Sequence, residues 1–97
     1  MKFKTALCFL LLSAGPVSAQ ATDTQLLIGG CQGCHGVNGQ GANGIPAIKG
    51  AHSRDEFIAM MRAFSANERP ATVMGRISRG YTAEQIAILA AHYARLQ

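Results

Sequence analysis

The sequence predicts an all-α fold, three main helices joined by long loops. Three observations carry that expectation. Three segments repeat apolar residues at helical spacing behind a capping residue. No stretch alternates apolar and polar residues as a half-buried strand would. The longest connection is glycine-rich and without period.

The first segment is DTQLLIGGC, Asp23 to Cys31. Asp23 is the expected N-cap, and Leu26, Leu27 and Gly30 recur at helical spacing. Gly29 and Gly30 weaken the helix but let a second helix come close. The second segment is SRDEFIAMMRAFSANE, Ser53 to Glu68. Ser53 with Glu56 forms a capping box. Phe57, Met60, Met61 and Phe64 make its apolar stripe, and Pro70 stops anything longer. The third is TAEQIAILAAHYARLQ, Thr82 to Gln97. Thr82 with Gln85 repeats the capping box, and Ile86, Leu89, Ala90 and Tyr93 face inward.

The first two segments are joined by GVNGQGANGIPAIKG, with glycines at 36, 39, 41, 44 and 50. A loop this long in so small a chain tends to wrap something or to work. The last two are joined by RPATVMGRISRGY, which carries Met74.

The start, MKFKTALCFLLLSAGPVSAQA, reads as a secretory signal: Lys2 and Lys4, an apolar run from Ala6 to Ala14, then Val17-Ser18-Ala19 as the cleavage site. The run is short of the ~20 residues that span a bilayer. Residues 1–19 are therefore expected to be a cleaved leader and residues 20–97 the functional domain, located in the periplasm. Losing Lys2 and Lys4 lowers the net charge from +4 to +2. No basic stripe interleaved with aromatics points to nucleic acid, and no membrane partner is expected once the leader is gone. Cys8 leaves with it, so Cys31 and Cys34 remain, in a compartment where free thiols rarely persist.

Those two cysteines stand in CQGCHG, Cys31 to Gly36. A structural zinc site needs four ligands. His35 abuts Cys34, and there is neither a second C-x-x-C nor a spaced histidine pair. A thioredoxin-type dithiol belongs where a strand meets a helix, and no strand is expected. Haem attachment fits the spacing. Residues i and i+3 share a helical face, so two thiols there reach the two vinyl groups on one haem edge. The adjacent histidine is carried to the iron, and C-x-x-C-H is the signature of c-type haem. A covalent haem would also staple a domain too small to be stable on its own core.

Candidates for the sixth iron ligand are Met60, Met61, Met74, His52 and His92. Met60 and Met61 read as core, His92 as surface and His52 as a loop residue before a cap. Met74 lies outside a regular stripe, beside Gly75, which lets backbone approach a flat plate. It follows His35 with one helix between, enough chain to reach the opposite haem face. Met74 is the expected ligand.

The order C-x-x-C-H-G, glycine-rich loop, IPAIKG (Ile45–Gly50), helix, Met74, helix resembles class I cytochromes c. That resemblance implies a small cytochrome c fold wrapped around one covalent haem, its first and last helices crossed. It implies thioethers at Cys31 and Cys34, axial iron ligands His35 and Met74, and a hydrogen bond from His35 Nδ1–H to the carbonyl of Pro46. Leu27 and Gly30 against Leu89 and Tyr93 would suit the crossing. A narrower run, TVMGRISRGYTAEQIAILAAHYA from Thr72 to Ala94, is similar to the haem subunit of flavocytochrome c sulfide dehydrogenases. It implies a flavoprotein partner that oxidises sulfide, with FAD in that partner chain only.

With both axial positions filled, the haem changes oxidation state without catalysing anything itself, and no catalytic constellation is expected elsewhere. Apolar walls from Ile45, Ile48, Phe57 and Ile77 would disfavour ferric charge. Arg76 and Arg79 flank the methionine, either solvated or paired with haem propionates or a partner. The expected function is a periplasmic carrier of single electrons, the haem subunit fed by a sulfide-oxidising flavoprotein. The alternatives are a free soluble shuttle between other dehydrogenases and an oxidase, and a haem enzyme or gas sensor if Met74 does not bind.

Overall fold

In the computed structural model, residues 19–96 are described, together with Ser13 and Gly15. The expected leader lies almost wholly outside the described residues. The helices run in the order α1 (Ala19–His35), α2 (Arg54–Ser65), α3 (Met74–Ser78) and α4 (Ala83–Tyr93). Among the described residues there is no strand, only an isolated bridge between Ala42 and Ile45.

The expected all-α architecture is present with one addition, the short helix α3. The first helix also differs from expectation. It starts before Asp23 and runs through the whole C-x-x-C-H, so Asp23 sits inside it and caps nothing. Residues 19–22 (AQAT) contain no breaker, and the helix extends back through them. Its inward stripe is Ile28, Cys31 and His35, spaced i, i+3, i+7; Leu26 faces water.

α2 and α4 open as expected. Ser53 Oγ accepts from Glu56 N at 3.2 Å while Glu56 Oε2 accepts from Ser53 N at 2.8 Å. Thr82 and Gln85 repeat the exchange at 3.2 and 2.9 Å. Each box satisfies two donors that a helix start leaves orphaned. α2 ends at Ser65, well before Pro70, because Asn67 turns to φ 58. An asparagine tolerates that left-handed conformation better than most residues.

The core consists of Ile28, Phe57, Met61, Ile86, Leu89, Ala90 and Tyr93. Each large apolar side chain buried there contributes about 1.5–3 kcal/mol. Phe57 and Tyr93 stack with centroids 6.1 Å apart. α4 packs on α1 and α2, and α2 packs on α3, while among the described residues the backbone of α1 approaches neither α2 nor α3. In the α1–α4 region Gly30 meets Tyr81 rather than Tyr93: a Cβ at Gly30 would collide with the Tyr81 hydroxyl. That hydroxyl donates to Leu27 O at 3.3 Å.

The end of α4 anchors the long loop. Gly50 N donates to Tyr93 O at 2.8 Å, and Arg95 N donates to His52 O at 2.7 Å. Lys49 Nζ adds a bond to His92 O. Carbonyls left unpaired at the helix terminus are thereby satisfied.

Candidate functional site

The last turn of α1 brings Cys31, Cys34 and His35 together at one wall of a cavity of about 620 Å³. That size lies within the roughly 300–1,000 Å³ usual for cofactor sites. Gly36, at φ 94, ends the helix behind them, its N–H returning to Gln32 O at 3.1 Å.

The loop then folds back on His35. Gly41 N donates to His35 O at 2.6 Å, and Ala42 and Ile45 exchange two backbone bonds. Gly41, at φ 72, is necessary here: a Cβ would lie 2.5 Å from Ile45 O and 2.7 Å from the carbonyl carbon of Pro46. The result is a close pair, His35 Nδ1 to Pro46 O, at 2.7 Å. A proline carbonyl can only accept, so Nδ1 carries the hydrogen. The imidazole is then fixed in the tautomer whose Nε2 lone pair is free to bind metal. His35 itself is 8% exposed.

The other walls are apolar. Ile45 and Ile48 come from the loop, Phe57, Met60 and Phe64 from α2, and Ile77 from α3. Met74 lines the cavity as the first residue of α3, which has no side-chain cap. It was expected in a loop. Gly75 beside it lies close to α2, where a Cβ would be 3.3 Å from Phe64 O. Met61 is a core residue whose sulfur accepts from the fully buried Ser78 hydroxyl at 3.6 Å. Met60 is only partly buried and belongs to the cavity wall, not to the interior. His92 is half-buried, edge-on to Tyr93 at 4.7 Å, and away from the cavity. His52, read as a loop residue, lines the cavity. Arg76 and Arg79 do not line it, whereas Arg69 does.

Cys31 is half-buried at the edge of the core, and burial pushes its thiol up, against the opposing pull of the nearby Tyr93 and Tyr81 hydroxyls. Tyr93 is pushed up to about 12, chiefly by burial. Its hydroxyl is buried without a hydrogen-bond partner among the described residues, and the Cys31 sulfur is its polar neighbour. Two thiols at the rim, an oriented imidazole, a thioether and apolar walls form a donor set suited to a flat, covalently held iron macrocycle.

A cytochrome c family model matches residues 22–94, and the chain belongs to the cytochrome c family. Its cofactor is accordingly haem c, joined covalently through the C-x-x-C-H motif of Cys31, Cys34 and His35. The cytochrome subunit of sulfide dehydrogenase from Chlorobaculum tepidum is 34% identical over 86 residues, covering 87% of this chain and 77% of that protein. Cytochrome c4 of Acidithiobacillus ferrooxidans superposes with a TM-score of 0.68 at 27% identity over 87% of this chain. This chain spans 54% of that one. The protein is thus an electron carrier, homologous to a subunit of an enzyme complex and not itself catalytic. Among the described residues no helix is long and apolar enough to cross a membrane.

Sequence reasoning did not find Arg69, His52, Met60 and Tyr81 as cavity residues. Arg69 and His52 stand in irregular segments, where periodicity gives no inward direction. Met60 had a signal, since it shares the α2 stripe with Phe57 and Phe64.

Proposed function

We propose that this chain works as the haem subunit of a sulfide-oxidising flavocytochrome, exported behind a cleaved leader and accepting single electrons from a flavoprotein partner that holds the FAD. The observation that carries this reading is the similarity to a sulfide dehydrogenase cytochrome subunit across most of both chains.

In this reading Cys31 and Cys34 form the two thioethers. His35 Nε2 and the Met74 sulfur would hold the iron. The Pro46 carbonyl holds the imidazole in register through the 2.7 Å bond and makes it a better donor. Haem supplies the one-electron couple. Met74 supplies a soft thioether that favours the ferrous state. Ile45, Ile48, Phe57 and Ile77 exclude water and disfavour the additional charge of the ferric state. With His35 and Met74 both holding the iron, the haem would exchange electrons without exchanging ligands, as a carrier requires.

Gentle purification from the native periplasm tests the partner. A c-type haem spectrum with stoichiometric flavin on a second, larger chain is expected. Haem on this chain alone, without flavin, would instead identify a free soluble shuttle between other redox proteins.

A further inference from the structure

No aspartate or glutamate lines the cavity. Arg69 and His52 are the basic side chains there apart from His35, and Tyr81 is the remaining titratable one beside the two cysteines. Arg69 makes no ion pair among the described residues; the pair that forms joins Arg95 to Glu56 at 3.9 Å, elsewhere on the surface. Its guanidinium carbon instead lies 5.4 Å from the centroid of Phe64, itself a cavity wall. A guanidinium over an aromatic face is oriented by the ring quadrupole while its N–H edges stay free.

This arrangement is a cation held ready for an anion that the polypeptide does not provide. Haem c carries two propionate carboxylates. A carboxylate entering an apolar cavity needs a positive partner to offset its desolvation. A guanidinium fork meets a carboxylate through two parallel N–H···O bonds, the strongest arrangement available to a side chain. We propose that Arg69 binds a haem propionate, the role the sequence offered to Arg76 or Arg79. The proposal rests on reading the cavity as the haem site. It makes Arg69 a cofactor-binding residue that also tunes the iron, because a fixed positive charge near the haem disfavours the ferric state.

Redox titration of the purified holoprotein from pH 5 to 9 tests this. A propionate paired with Arg69 stays ionised to low pH. In R69Q its pKa rises, so the pH-dependent limb of the midpoint potential moves to higher pH. Above that limb the potential of R69Q falls below wild type, because the positive charge is gone. R69M, which keeps the apolar stem over Phe64, shows the same two changes and decides the matter if R69Q loads poorly. R69K keeps the charge and recovers most of the potential. R76Q and R79Q, at side chains that do not line the cavity, leave the limb where it is in wild type. Wild-type potentials and pH profiles in R69Q or R69M overturn the proposal, as does a limb that moves with H52Q or with R76Q instead. The methionine-to-iron charge-transfer band is recorded in every variant. Its absence from wild type would defeat the axial assignment of Met74, and its presence in a shifted R69Q isolates the propionate contact from that assignment.

Discussion

The two sides of α1 are built differently. Toward α4 the polypeptide packs against itself: Leu89, Ala90 and Tyr93 are completely buried, and Ile28 nearly so. Toward α2 and α3 the backbone of α1 stands off, and Ile28 joins Phe57 and Met61 in the core only through its side chain. The cavity lies on that side, with Ile45 and Val73 at its rim 37% and 51% exposed. One side is a finished core. The other is an apolar wall facing the cavity.

The largest break in that comparison removes the cofactor's tether. Cys31→Ala with Cys34→Ala abolishes covalent haem, read as complete extraction of pigment into acidic organic solvent. Circular dichroism then shows a poorly folded chain; a well-folded one would mean that the α1–α4 core suffices alone. Next is the proposed ligand wall. Met74→Ala opens the sixth position, lowers the midpoint potential and lets carbon monoxide bind the reduced protein at neutral pH. An unchanged spectrum would sink the assignment. On the finished side, Leu89→Ala costs about 2–5 kcal/mol in denaturant unfolding, because a fully buried leucine leaves a cavity behind. Its spectrum stays that of wild type, which separates the two sides cleanly. Smaller still, Ser53→Ala and Thr82→Ala each cost about 1 kcal/mol through loss of a helix cap.

The smallest effect is a pH slope. Burial, and then the Lys49 ammonium, lower the pKa of His92 from its ordinary 6.5. The unfolded chain therefore takes up a proton at a pH where the folded chain still refuses it. The stability due to neutral His92 is complete above 6.5 and is lost as pH falls toward the lower folded value. His92→Gln flattens the unfolding free energy between pH 7 and 5.5 and leaves the steeper acid limb, to which Glu56 contributes with its lowered pKa.

What the sequence revealed follows the same division. The attachment motif and both capping boxes are local, complete within six residues, and depend on nothing distant. The α4 stripe was readable because one face of that helix meets two helices. α3 was not: five residues with a glycine second and no side-chain cap have little intrinsic helicity, and packing on α2 holds them. Asp23 has the chemistry of a cap, but the chain before it is equally able to be helical. Which leucine or isoleucine of α1 turned inward depended on the angle at which α4 crosses it. The position of Arg69 depended on how the segment between α2 and α3 closes over Phe64. Neither is written in any local pattern.

The separation of the α1 backbone from the pair α2–α3 has a consequence for the life of the molecule in the cell. In a chain that has not received its haem, the α2–α3 wall is tied to α1 only through α4 and the core side chains between them. The irregular stretch from Ala66 to Val73, already exposed, then becomes the natural point of proteolytic entry. Loaded and unloaded molecules would thus differ in lifetime before they differ in activity. The same gap that admits the cofactor also lets proteolysis remove copies that failed to obtain it.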